Sequence, residues 1–159
     1  MAPSVIVSML ILPNEWILDY LTPGPNKPQI SEVFVTACRQ QKHRYLIRRR
    51  SSFSEKLFRY SKLYPLNQAI KKFVNMTLRD SMMVQFVDEH EINAEIPVLS
   101  TIPRDDRYLV EVLYSFPEAV LISTDAFLVE QVKLLKLKAV LFEDNVNAVL
   151  QKAAEISVP

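Results

Sequence analysis

A chain of 159 residues is about one domain long, and 49% hydrophobic residues supply the apolar surface for one core. The formal net charge of +1 makes no global demand for a nucleic acid or a membrane surface. One cysteine, Cys38, excludes a disulfide, and with His43 and His90 as the only histidines it excludes a thiolate and imidazole metal cage; both histidines read as surface residues without partners. A chain without disulfides suits a reducing, cytoplasmic setting. Gly24 is the only glycine, which excludes the Gly-rich phosphate loops.

The apolar opening Val5-Ile-Val-Ser-Met-Leu-Ile-Leu12 is too short to span a bilayer and lacks a basic flank, so it reads as a buried strand. A helix follows from about Asn14, with Trp16, Ile17, Tyr20 and Leu21 on one side, and ends at the breakers Thr22-Pro-Gly-Pro25. Ile30, Val33, Phe34 and Ala37 predict a second helix from about Pro28 to Gln41. Tyr45-Leu-Ile-Arg48 reads as a short strand, and Ser51 opens the next helix. Leu66, Ala69, Ile70, Phe73 and Met76 predict helix over the middle, from Pro65 to about Phe86; Val87 to Thr101 carries no clear pattern.

The last third is the clearest. Asp106 opens a helix, Ala119-Val-Leu-Ile-Ser123 is a strand, Asp125 opens another helix, Ala139-Val-Leu-Phe142 is a strand, and Asn145 caps a helix running to about Glu155. Strands alternating with helices predict a single α/β domain over residues 1–159, with a parallel sheet between two helical layers. In such sheets the functional crevice lies beyond the carboxyl ends of the strands. Glu55, Asp106 and Asp125 all fall at that end.

Charge along the chain is uneven. Between residues 39 and 62, Arg39, Lys42, Arg44, Arg48, Arg49, Arg50, Lys56, Arg59 and Lys62 face one acid, Glu55, a local balance of +8. Arg48, Arg49 and Arg50 stand just before the Glu55 helix, where they could hold an RNA backbone or form a solvated face. Tyr45, Tyr60 and Tyr64 could stack on bases or pack half-buried.

Taken together, Ser52 and Glu55 in SSFSEKL, Asp106-Arg-Tyr-Leu-Val-Glu-Val112 and Ser123-Thr-Asp-Ala-Phe-Leu128 resemble the PIN domain family of metal-dependent ribonucleases and RNA-processing modules. The likeness covers nearly the whole chain and is most specific over residues 105–150. It implies a three-layer α/β/α PIN-like fold, RNA as partner, and Mg²⁺ or Mn²⁺ held by Glu55, Asp106 and Asp125 for hydrolysis of a phosphodiester. It also implies either an endoribonuclease, for instance the toxin of a toxin-antitoxin pair, or an inactive RNA- or protein-binding module, alone or as a homodimer. The family's first strand ends in a metal-binding aspartate, and here Pro13 holds that register, with Glu15 or Asn14 as the substitutes at hand. Each acid also has a structural reading. Ser52 and Glu55 match a capping box, and Asp106 and Asp125 match helix caps, with Asp105 a solvated neighbour.

Overall fold

The computed structural model describes residues 8–21, 28–63, 67–92, 101–143 and 145–157. Five strands form one all-parallel sheet: β1 (Leu10–Pro13), β2 (Arg44–Arg48), β3 (Val84–Val87), β4 (Val120–Ser123) and β5 (Ala139–Leu141), in the spatial order β3-β2-β1-β4-β5. The helices between them are α1 (Trp16–Leu21), α2 (Pro28–Gln40), α3 (Ser52–Leu63), α4 (Gln68–Phe73), α5 (Arg107–Ser115), α6 (Ala126–Leu134) and α7 (Val146–Ser157). The breakers at residues 22–25 and the weakly patterned residues 93–100 lie outside the described residues.

Alternation along each strand sorts the sheet into two cores. Ile11, Tyr45, Ile47, Val120, Ile122 and Val140 pack with Trp16, Phe34, Phe53, Phe73 and Val149, from α1, α2, α3, α4 and α7. Leu12, Leu46, Leu121 and Ala139 pack on the opposite face with Leu109, Leu113, Leu128 and Val132 of α5 and α6. The result is a three-layer α/β/α sandwich. Its interior leaves little room for chemistry: burial pushes the Cys38 thiol up to about 12, and Tyr45 beside it is fully buried. Tyr45 is therefore a core residue and offers no ring for a base.

Three sequence expectations change. The middle is not helical throughout: α4 passes into a π-helical turn at Val74–Leu78, and Val84–Val87 then forms β3. The register Tyr45↔Val84 to Arg48↔Val87 gives β2 an outer partner, and Val-Gln-Phe-Val suits a pleated surface better than its helical neighbours suggested. The first strand is Leu10–Pro13, with Ser8 and Met9 outside it, and residues 5–7 of the expected strand lie outside the described residues. Pairing with β2 stops at Ile11↔Tyr45 while pairing with β4 continues to Pro13↔Ile122, so a residue without N–H is tolerated at that strand end. His43 is not a surface residue. It is 2% exposed, accepts from the Met9 amide at Nδ1 (3.0 Å) and has Gln41 Oε1 3.0 Å from Nε2.

Candidate functional site

The crevice follows from topology. Helix α1, which follows β1, lies on one face of the sheet, and α6, which follows β4, lies on the other, so the chain parts between the carboxyl ends of two adjacent strands. The two ends are stitched together. Asn14 Nδ2 donates to Ser123 Oγ (2.8 Å), Ser123 Oγ also accepts from the Asp125 amide (3.1 Å), and Asn14 Oδ1 accepts from the Glu15 amide (2.8 Å). Beneath them Trp16 Nε1 donates to the Ile122 carbonyl (2.9 Å) while its ring stacks on Phe142 at 4.0 Å. Asn14 therefore holds protein groups with both ends of its amide.

The acids at this end have different duties. Asp125 is exposed and caps α6, its Oδ1 accepting from the Leu128 amide (3.1 Å). Asp106 stands at the N-cap of α5 without capping it, and its half-buried carboxylate has no hydrogen bond or ion pair among the described residues. Burial, then the charges of Asp125, Glu15 and Asp105, raise its pKa above the usual carboxylate range. Those perturbations put Asp125, Glu15 and Asp105 within electrostatic reach of Asp106. Tyr108 faces the same group: its hydroxyl is buried beside the Phe53 backbone, and burial with the nearby charges of Glu15 and Asp106 raises its pKa.

Glu15 has a cation of its own. Lys56 Nζ, in the first half of α3, donates to Glu15 Oε2 (3.1 Å) and lies 2.8 Å from Asp19 Oδ1, with the lysine side chain only 15% exposed. Burial opposes the charge on Lys56, but the hydrogen bonds to Asp19 and Glu15 outweigh it and the pKa rises. Asp19 also accepts from the Tyr60 hydroxyl (2.9 Å), so Tyr60 is held in place by the same cluster.

Glu55 lies in the first turn of α3, at the same end of the sheet, but it is exposed and is not among the charges that lift Asp106. Nor does it close a capping box with Ser52. The reciprocal pair is one residue earlier: the Ser51 amide donates to Ser54 Oγ (2.9 Å) and the Ser54 amide to Ser51 Oγ (3.3 Å). The helix starts at Ser52, so Ser51 is the cap and Glu55 has no capping role.

The arginine run is divided. Arg48 turns inward to pair with Glu111 of α5. Arg49 pairs with Asp88 at 3.3 Å, its guanidinium 4.7 Å from the Phe86 ring centre. Arg50, in a left-handed turn (φ 56°), is exposed and has no carboxylate partner among the described residues. The three arginines share an open cleft with Ser54, Phe86, Asp88, Glu89 and His90. Of the tyrosines weighed for stacking, Tyr45 is buried, Tyr60 is bonded to Asp19, and Tyr64 lies outside the described residues.

A divalent ion needs several oxygens within reach of one point. The donors are right in kind, hard carboxylates, but not in placement: Pro13 brings no carboxylate, Glu15 is paired with Lys56, and Asp125 caps its helix. Among the described residues no three acids, histidines or cysteines gather closely enough to hold an ion. Sequence reasoning missed Lys56, Asp19 and Tyr108. The Lys56 to Glu15 pair spans 41 residues and leaves no local signal. Among the described residues no helix is long and apolar enough to cross a membrane. No family model, curated protein or solved structure matches the chain.

Proposed function

We propose that this chain is a PIN-like domain that binds RNA at the carboxyl end of its sheet and lacks a metal-dependent cleavage site of its own. The observation that carries this reading is the Lys56 ammonium clamped between Glu15 and Asp19 at 3.1 and 2.8 Å. It neutralises the one acid that could replace the carboxylate missing at Pro13, and a divalent ion would have to displace a tethered, largely buried cation to use Glu15. RNA as the partner is supported by Arg50, in the turn before α3, and by Arg59 and Lys62 on α3, none with a carboxylate partner among the described residues. Cations placed this way contact phosphates without reading sequence.

A second reading, a metal-dependent endoribonuclease, is favoured by Asp106 alone. A half-buried carboxylate raised in pKa by its burial and then by three neighbouring acids is an electrostatic debt that a cation would relieve. Asp125→Asn separates the two, because asparagine still accepts from the Leu128 amide and keeps the cap while the charge is removed. Mn²⁺ is titrated calorimetrically into wild type, Asp106→Asn and Asp125→Asn, beside a single-stranded RNA cleavage assay. The binding module predicts no cleavage, and RNA affinity in Asp125→Asn equal to or above wild type. Mn²⁺ uptake with RNA cleavage, both lost in Asp106→Asn, would establish the nuclease instead.

A further inference from the structure

We infer that the outward face of α3 is a track for single-stranded RNA, with Phe58 as a stacking platform and Arg59 and Lys62 as phosphate contacts; this rests on the RNA-binding reading above. Phe58 is 63% exposed on a helix whose inner side, at Phe53, is fully buried. Lys62, one turn on, holds its ammonium 4.4 Å from the Phe58 ring centre, and the Arg59 guanidinium lies 5.7 Å from that of Tyr60. Neither cation has a carboxylate partner among the described residues, whereas Lys56, turned inward on the same helix, has two. The helix thus separates its cations by role: the inner one neutralises Glu15 and Asp19, while of the outer ones Lys62 lies over the exposed Phe58 ring and Arg59 beside Tyr60.

An exposed aromatic ring with an ammonium over one face and a guanidinium on the next residue matches the chemistry of nucleic acid single strands, whose bases stack on rings while phosphates meet lysine and arginine. An amphipathic peptide helix fits less well. It needs anchors at i, i+3, i+4 and i+7, and the exposed apolar residues of α3 are Phe58 and Leu63, about 140° apart around the helix at 3.6 residues per turn. The placement also suits a strand leaving the crevice, because α3 begins at the carboxyl end of β2 beside Arg50 and runs away from it.

The test is fluorescence anisotropy in EDTA, with a fluorescein-labelled single-stranded RNA of mixed sequence and the same sequence as a duplex. Phe58→Ala is expected to weaken single-strand binding by about five-fold or more, Phe58→Tyr to retain it, and the duplex to be insensitive to either change. Arg59→Gln and Lys62→Gln should each lower the slope of log affinity against log salt by about 0.7. Wild type that binds RNA with affinity and salt slope unchanged in all these variants overturns the track and leaves RNA binding elsewhere on the domain. Wild type that does not bind RNA overturns both. A poly-glutamate peptide that binds wild type and is lost in Phe58→Ala, with RNA unaffected by that change, would make the face a protein-docking site instead.

Discussion

His43 carries information that its neighbours in sequence do not suggest. Because Nδ1 accepts the Met9 N–H, the ring proton must sit on Nε2, where it reaches Gln41 Oε1. A second proton would face the Met9 amide head-on, and burial lowers the pKa below the ordinary value of 6.5. The unfolded chain therefore takes up the proton first, and the native state is favoured above the unfolded pKa. This contribution begins to fall near pH 6.5 and is lost as the pH drops through the lower folded value. Melting curves from about pH 7.5 to about pH 5 should show a fall in Tm of a few degrees that is smaller in His43→Gln, whose amide can still accept from Met9. Equal slopes for the two proteins would assign the acid sensitivity to other groups. Nothing in the local sequence QKHRY shows that this histidine fixes the chain ahead of β1, because its partner lies 34 residues away.

At the scale of the element, the start of α3 separates a structural role from a functional one. Ser51 and Ser54 satisfy each other's amides, so Ser51→Ala should cost about 1 kcal/mol, read as a lower midpoint in urea unfolding. Glu55→Gln, on an exposed carboxylate without a capping bond, should stay within about 0.5 kcal/mol of wild type. A large loss in Glu55→Gln would return Glu55 to the cap. Helix openers such as Asp125 and Asn145 were legible because a cap acts over three residues, and both side chains accept the expected amide. Strand β3 was not legible, since only pairing with β2 distinguishes its four residues from the helical pattern before them. Turns were hidden for another reason. With one glycine in the chain, left-handed positions among the described residues fall to Lys42, Arg50 and Lys136 (φ 59°, 56° and 60°), residues that give no turn signal.

For the whole molecule, alternation of strands and helices was enough to read a parallel α/β sheet, but not the order of its strands. Order decides the site. Strands β2 and β3 are added on one side of β1 with helices on one face, and β4 and β5 on the other side with α5 and α6 on the opposite face, as a fixed crossover hand requires. This reversal brings residues 13–15 and 123–125 together, and with them Asp106, so the acids read from sequence as separate helix starts become neighbours. What the sequence could not show is the counter-charge, because Lys56 reaches Glu15 only after α3 packs on α1. The same reversal places Trp16, the chain's single tryptophan, directly behind Glu15, its indole bonded to β4 and stacked on Phe142. The crevice therefore carries its own optical reporter. Buried at 4% exposure, the indole should emit in the blue, and its emission belongs to one defined place in the fold. Paramagnetic Mn²⁺ bound through Glu15 would quench that light, whereas RNA lying along α3 would leave most of it unchanged, so a single emission spectrum distinguishes an occupied crevice from an occupied helix.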